Sequence, residues 1–442
     1  MPVLIATILY WLRIVRQPID PRLKRRHLGG FLIVSLGIGL ARLWDTQRPV
    51  GQLSGQFWGE VLGVLAVYSM CWSLLLATRS RLLEPWFGGL DRMYVWHRRA
   101  GVAGFLLLIP HVVVVSSVQV QAASQLGNIL GVLSLAGVLL LVAVSLPRVG
   151  RLIRLHYEPW LRLHRITGLF VAAAIVHGAL VDPMLKASAQ LRVAYHVVGL
   201  IGLLAFVYQE LIVGLAVRPA AYIVRRVERL ADETLDVTLA AVAAPIAVRP
   251  GQFLFVGFGG TDAWQRHPFS VAGIAADGTL RLSIRALGDY TRTLYERLEP
   301  GVPARVVGPY GMFDYTLGGK RQIWIAAGIG VAPSLSWLRQ PGGLGDRRID
   351  FFYSVRRRED ALYLDEIQAA AAREPGLRLQ LIVTIEQDRL TIEQLRGQAA
   401  GPLASTHVFM CGPLAMTEGF ARGLRGAGVP RDQIHFEHFN FR

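Results

Sequence analysis

The sequence predicts a bundle of six membrane-spanning α-helices followed by a small cytosolic β-barrel and a parallel α/β domain. Three observations predict it: an apolar excess, the confinement of that excess to the first half, and a change of hydrophobic period in the second. Of 442 residues, 52% are hydrophobic and only 18% charged. The mean hydropathy of +0.39 is too high for a soluble protein of this size. A purely cytosolic globule is thereby excluded, while the length leaves room for two or three domains.

Six stretches approach or exceed the roughly 20 apolar residues that a helix needs to cross a ~30 Å hydrocarbon core. They fall near 28–44, 57–78, 96–117, 124–147, 165–185 and 193–217. A shorter apolar run, Val3 to Ile14, adjoins Arg13, Arg16, Arg22, Lys24, Arg25 and Arg26. It lacks the basic start and cleavage site of a signal peptide and reads as an interfacial helix.

The formal net charge of +16 would suit a nucleic-acid partner, but its distribution points to topology instead. The N-terminal arm and segments 79–99, 148–165 and 218–229 together hold 20 Lys and Arg, whereas the alternate loops hold 4: Arg42, Arg48, Lys186 and Arg192. That asymmetry follows the positive-inside rule and places both termini in the cytoplasm, in a multi-pass protein of the cell inner membrane. The partner is a lipid bilayer, and no nucleic acid is expected. Two cysteines, Cys71 and Cys411, cannot build a disulfide framework. No repeat with a period of about 20–50 residues is apparent, and the composition shifts near Arg218-Pro219.

Ionisable side chains within spans are functional candidates because lipid makes them costly. His97 and His111 lie 14 residues apart on the third span, and His164 and His177 lie 13 apart on the fifth. At 1.5 Å per residue each pair spans roughly 20 Å, so each helix offers one imidazole near either face. Such matched pairs on facing helices can hold two stacked b-type haems, one between His97 and His164 and one between His111 and His177. A 14-residue step returns to within about 40° of one helical face, but a 13-residue step misses by about 140°, so the fifth span requires local distortion or tilted haems. Any one of these histidines also fits a helix-packing role; the matched depths favour ligation. Arg92, Arg98, Arg99 and Arg165 could pair with haem propionates.

From Ala220 the pattern becomes short strands such as Leu235–Leu239, Phe253–Val256 and Leu280–Ile284, separated by Gly, Pro and Asp turns, as in a small barrel. Near residue 320 it changes to strand–helix alternation, with strands at Ile323–Ala327, Ile349–Tyr353, Leu379–Ile385 and His407–Cys411. After the first of these, Gly328, Gly330 and Pro333 form a Gly-x-Gly-x-x-Pro turn that opens an apolar helix containing Leu335 and Trp337. Such a turn admits a dinucleotide pyrophosphate at a helix start, although alone it also fits a structural turn.

Three further motifs stand in line with it: His267-Pro268-Phe269-Ser270, Arg285 with Gly288-Asp289-Tyr290-Thr291, and Cys411-Gly412-Pro413. In that order the sequence resembles the NADPH oxidase and ferric reductase superfamily, whose haem-binding six-helix domain is fused to a ferredoxin-NADP reductase-like dehydrogenase. The resemblance covers nearly the whole chain. It implies a transmembrane di-haem domain over 1–219, an FAD-binding barrel over 220–318 and an NADPH-binding α/β domain over 319–442.

By position, the resemblance implies that Phe269 packs on the flavin and that the Ser270 hydroxyl hydrogen-bonds the reactive edge of the isoalloxazine. His267 and Arg285 help to bind the FAD diphosphate, and the Gly288–Thr291 turn is a second phosphate-binding element. Gly328, Gly330 and Pro333 correspond to the nucleotide diphosphate loop, and Cys411, Gly412 and Pro413 to the element beside the nicotinamide. Ser354 and Arg356 fall where relatives contact the adenosine 2′ position, and their chemistry favours a 2′-phosphate, hence NADPH over NADH; a solvated basic turn is the other reading of Arg356–Arg358. The C-terminal Phe441, or Phe439, corresponds to the terminal aromatic that covers the flavin, and a strand-end packing role is equally open.

Assembled, these parts imply an NADPH-dependent oxidoreductase that sends electrons from NADPH through FAD and two haems to an acceptor outside. Dioxygen, giving superoxide, is the first expectation; a chelated ferric or cupric ion, or a quinone or periplasmic partner, are the alternatives. A flavin reductase on a passive anchor is the reading without haem.

Overall fold

The computed structural model describes residues 28–52, 54–117, 124–146, 149, 152–153, 157–213, 218–260, 264–399 and 401–437. They form two compact units that divide at Ala216–Val217, close to the composition shift. The run Val3–Ile14 and the terminal Phe439 and Phe441 lie outside the described residues.

In the first unit, six helices are long and apolar enough to cross a membrane. They are α1 (Leu28–Thr46), α2 (Ser54–Ala77), α3 (Leu90–Ser117), α4 (Gln125–Ser145), α5 (Tyr157–Val181) and α6 (Ala189–Val207), the last continued by a π turn over Tyr208–Ile212. Helices α3 and α5 start at Leu90 and Tyr157, well before the expected 96 and 165. Arg92, Arg98, Arg99, Arg162 and Arg165 depress hydropathy there without breaking the helix, because long basic side chains lay their stems along apolar surface and carry the charge outward. The broadest packing joins α2 to α3 and α4 to α5, around a core that includes Trp44, Tyr68, Cys71, Val138, Val171, Ile175 and Tyr195. Large apolar side chains such as Leu106, Val113 and Leu200 stay more than half exposed, as a lipid-facing surface requires.

The second unit opens with a closed antiparallel barrel of β1 (Ala220–Leu230), β2 (Thr234–Ala241), β3 (Phe253–Phe258), β4 (His267–Ile274), β5 (Leu280–Arg285) and β6 (Pro303–Tyr310), in the order β1-β2-β5-β4-β3-β6. Strand β3 is buried at every residue. Leu254, Val256 and Phe258 fill the interior, while Phe253 and Phe255 pack outside against Tyr310 at 6.1 and 5.6 Å between ring centres. Helix α7 (Asp289–Arg297) follows β5.

A parallel sheet comes next: β7 (Arg321–Ala327), β8 (Arg348–Val355), β9 (Leu377–Val383), β10 (His407–Cys411) and β11 (Ile434–Phe436), in the order β11-β10-β7-β8-β9. Helices α8 (Ala332–Leu338), α9 (Leu364–Arg373), α10 (Ile392–Gln398) and α11 (Leu414–Gly426) connect the strands. Strand β9 ends two residues before the expected Ile385 because the amides of Glu386 and Gln387 turn back onto the Val383 carbonyl, each at 3.0 Å.

Polar bonds tie barrel to sheet within this unit. Tyr363, at the head of α9, meets the Asp236 carboxylate at 2.7 Å and the Ser283 hydroxyl at 2.6 Å. Arg339 donates to the Ala272 carbonyl at 2.7 Å, and the Gly251 amide donates to Ser336 at 2.8 Å. Asp236 and Ser283 face each other across β2 and β5 and are 4% and 6% exposed, so these bonds act in a dry interface where a lost partner costs most.

Candidate functional site

In the membrane unit, α3 and α5 bring the sequence-predicted His97 and His164 together. The rings of His97 and His164 stand 6.0 Å apart, nearly perpendicular at 81°. Two metal–imidazole bonds of about 2 Å plus two ring radii come to roughly this spacing.

Three of the four rings are held by backbone carbonyls of the preceding span. His97 Nδ1 lies 2.8 Å from the Ser73 carbonyl and 3.0 Å from its hydroxyl. His111 Nδ1 lies 2.7 Å from the Gly59 carbonyl, and His177 Nδ1 lies 2.8 Å from that of Gly127. A carbonyl only accepts, so each bond puts the proton on Nδ1 and leaves the Nε2 lone pair for a metal, the second-sphere arrangement usual for ligating histidines. His164 is held differently, by stacking on Trp160 at 5.1 Å and 15°, while the Trp160 indole donates to Ser145.

The 13-residue step on the fifth span is absorbed without a break in α5. His177 turns toward α4 and His164 lies along its own helix over Trp160, so the two rings use different surroundings on one unbroken helix. Of the four arginines considered for propionates, Arg165 is engaged with Glu210 of the π turn at 2.8 Å, and Arg99 lies over Trp96 at 5.1 Å.

In the second unit, His267, Pro268, Phe269 and Ser270 open β4. Phe269 is 8% exposed and belongs to the barrel core, so only a strip of its ring is open. His267 stacks on Tyr290 at 3.9 Å and 19°, joining β4 to the Gly288–Thr291 turn. Its Nε2 is buried with no hydrogen-bond partner among the described residues, and burial pulls its pKa down to about 4, so at neutral pH it is an uncharged imidazole. Thr291 Oγ1 accepts from the Leu287 and Gly288 amides at 2.9 and 3.0 Å, which fixes the start of α7, with Asp289 in its first turn. Arg285, at the end of β5, pairs with Asp232.

The Gly328–Pro333 and Cys411–Pro413 turns sit where strand order reverses, at the carboxyl ends of β7 and β10, the usual ligand crevice of open parallel sheets. They touch through glycine. A Cβ on Gly330 would lie 2.3 Å from the Cys411 carbonyl oxygen and 2.9 Å from Gly412 Cα. Gly328 has φ +51°, and a Cβ there would be 3.6 Å from Arg285, so the barrel arginine and the turn after β7 are neighbours. Pro333 is buried in the first turn of α8; Pro413 caps α11.

Cys411 is free and buried, as is Cys71. Burial raises the Cys411 thiol well above its ordinary pKa, and the nearby Glu437 carboxylate raises it further; the side chain is a neutral thiol at neutral pH and no nucleophile. Glu437, 5% exposed, also approaches Gly311. Sequence reasoning gave it no role, and its only signal was an acidic residue among the aromatic side chains that follow Ile434. Ser354 is half-buried at the end of β8, and Arg356 is exposed beyond it.

Residues 62–175 match the family model described as ferric reductase like transmembrane component, 221–320 the FAD-binding domain, and 324–422 the oxidoreductase NAD-binding domain. The reductase component of propane 2-monooxygenase from Rhodococcus jostii is 26% identical over 255 residues, which cover 54% of this chain and 68% of that one. The ferredoxin–NAD(P)(+) reductase component of the naphthalene 1,2-dioxygenase/salicylate 5-hydroxylase systems of Ralstonia is 27% identical over 237 residues, 51% of this chain and 71% of that one. Among solved structures, the flavohemoglobin of Malassezia yamatoensis with bound FAD and heme aligns at TM-score 0.50 and 16% identity, over 88% of this chain and 99% of that one. That is a likeness of fold alone.

Proposed function

From its membership of the NADPH oxidase and ferric reductase superfamily, as a multi-pass transmembrane electron-transfer oxidoreductase with FAD- and NAD(P)H-binding domains, we propose that this chain oxidises NADPH in the cytosol and reduces dioxygen to superoxide on the far side of the inner membrane. Each NADPH gives up two electrons and a proton, and two dioxygen molecules take one electron each. FAD when bound converts a hydride into single electrons, and two b-type haems when bound relay them one at a time.

The observation that carries the reading is the pairing of imidazoles between α3 and α5, with His97 and His164 6.0 Å apart. His97 and His164 would hold the haem nearer the cytosol, and His111 and His177 the outer one. Their fit to that role rests on Nδ1 bonds to carbonyls, which orient three of the rings and free Nε2. An iron already held by four porphyrin nitrogens needs only two side chains.

The unpartnered Nε2 of His267 is a donor or acceptor awaiting a polar group, which suits an FAD diphosphate with Arg285 and the Gly288–Thr291 amides around it. Ser270 would meet the flavin edge, with Phe269 supporting from the barrel side. Gly328, Gly330 and Pro333 would take the NADPH diphosphate, while Cys411, Gly412 and Pro413 form a neutral wall for the nicotinamide. Arg356 makes no ion pair among the described residues and is exposed, which suits a 2′-phosphate. Both termini are assigned to the cytosol by the Lys and Arg asymmetry.

The test is an anaerobic absorption spectrum of purified, FAD-supplemented protein before and after NADPH, followed by a pulse of air. Haem bands that reduce with NADPH and reoxidise rapidly with superoxide release are expected. Slow reoxidation moves a metal ion or a partner ahead of dioxygen as acceptor. An absence of haem overturns the wire and leaves a flavin reductase on an anchor.

A further inference from the structure

Resting on the di-haem reading, we propose that Gly63 and Gly131 are positioning residues for the two outer ligands, as the second halves of a Gly-x-x-x-Gly cradle that the membrane unit carries twice. The first copy is Gly59 and Gly63 on α2, facing His111 of α3. The second is Gly127 and Gly131 on α4, facing His177 of α5.

Both copies work alike. The carbonyl of the first glycine accepts from imidazole Nδ1, at 2.7 Å from Gly59 and 2.8 Å from Gly127. One turn later, the second glycine leaves the space that the ring fills. A Cβ on Gly63 would lie 2.8 Å from both Cε1 and Nδ1 of His111, and a Cβ on Gly131 would lie 2.7 Å from the same two atoms of His177. The same ring edge therefore meets the second glycine in both hairpins. The offset between copies is 68 residues at each glycine (59 to 127, 63 to 131) and 66 at the histidine (111 to 177), longer than the periods in which the sequence shows no repeat.

Gly-x-x-x-Gly in a membrane span ordinarily lets two helix backbones approach. Here the second glycine packs on an imidazole, and the inner pair has no such device: His97 uses Ser73 and His164 uses Trp160. The cradle selects the tautomer, raises the basicity of both outer imidazoles through their carbonyl bonds, and fixes the rotation of each ring about its own axis. A more basic ligand pair stabilises ferric iron, so the cradle holds the outer potential down.

The experiment uses the full chain with Gly63→Ala and Gly131→Ala. Gly199→Ala and Gly202→Ala on α6 are the controls for packing, since they belong to neither cradle and press a methyl on Ile175 and Cys71 instead, at 2.7 and 2.5 Å. Gly39→Ala, with nothing within 4 Å, controls for the substitution itself. Haem per chain, low-temperature EPR g values and potentiometric midpoints are read on each.

Gly63→Ala and Gly131→Ala are expected to change one haem only, with altered g values and a more positive midpoint, or to fall from two haems to one. Two haems with unchanged g values and midpoints would overturn the cradle, and equal damage from Gly199→Ala and Gly202→Ala would reduce it to packing. The unsubstituted protein gives a check independent of variant folding, because ENDOR in D2O should find slowly exchanging Nδ1 protons on the outer ligands. Rapid exchange there overturns the cradle. Unsubstituted protein without haem fails the underlying reading, a result distinct from all of these.

Discussion

Gly330→Ala is expected to slow flavin reduction by NADPH while sparing the flavin site. The added methyl would sit 2.3 Å from the Cys411 carbonyl oxygen and 2.6 Å from its carbon, where non-bonded contacts settle near about 3.5 Å. A retreat of roughly 1 Å is needed, and both sides are backbone. Cys411 is registered against Ala326 in the parallel β7–β10 ladder, so the diphosphate loop must move away from the nicotinamide wall. Overpacking of this kind costs about 1–3 kcal/mol, which corresponds to roughly a fivefold to hundredfold loss of NADPH affinity if it falls wholly on binding. Anaerobic stopped-flow at several NADPH concentrations measures it, with dithionite reduction and FAD content as controls. Gly328→Ala separates clash from strain, since its Cβ meets nothing closer than 3.6 Å and pays only the left-handed cost of about 1–2 kcal/mol. Wild-type affinity and hydride rate in Gly330→Ala would refute the assignment of the two loops to one nucleotide.

Tyr363→Phe removes the bonds to Asp236 and Ser283, but Asp236 keeps Arg281 at 2.6 Å; a loss of about 1.5–3 kcal/mol follows, read as a lower urea midpoint for flavin release. The folded pKa of His267, about 4, lies below its ordinary 6.5, so the unfolded chain binds more protons between these values. Stability of the flavin-free protein is therefore full above about pH 6.5 and declines as pH falls toward 4; thermal melts across that window should flatten in His267→Phe, and an unchanged slope would sink the account. Arg356→Glu is expected to lower kcat/KM for NADPH far more than for NADH, since an acidic group there repels a 2′-phosphate and suits a free ribose; equal losses on both nucleotides would refute the assignment.

The spans were legible because lipid imposes a length and a composition, and the imidazole pairing because two matched separations fix depth. What holds each ring was not. Gly59, Ser73 and Gly127 act through their carbonyls, and hydropathy says nothing of how one span is rotated against the next. The start of α3 was misplaced for the same reason, since arginines lower a hydropathy average without unwinding a helix. In the second unit, glycines marked the turns after β7 and β10, but the contact of Gly330 with Cys411 depends on strand order. Glu437 was overlooked because its meaning comes from Cys411 and Gly311, far away in the chain. Strand β3 is buried on both faces because Phe253, Phe255 and Tyr310 cover the side away from the barrel interior.

The latch between barrel and sheet has a consequence for recombination. A chimera cut between residues 318 and 319 would hand Tyr363, Ser336 and Arg339 to one parent and Asp236, Ser283 and Gly251 to the other. Unless the donor supplied the same acceptors at the same places, a nearly dry carboxylate would lose one of its partners and the Ala272 carbonyl its guanidinium. The tradable piece is therefore the barrel and the sheet as one cassette, and a property carried at the end of β8 is better altered by single residues than by swapping the sheet.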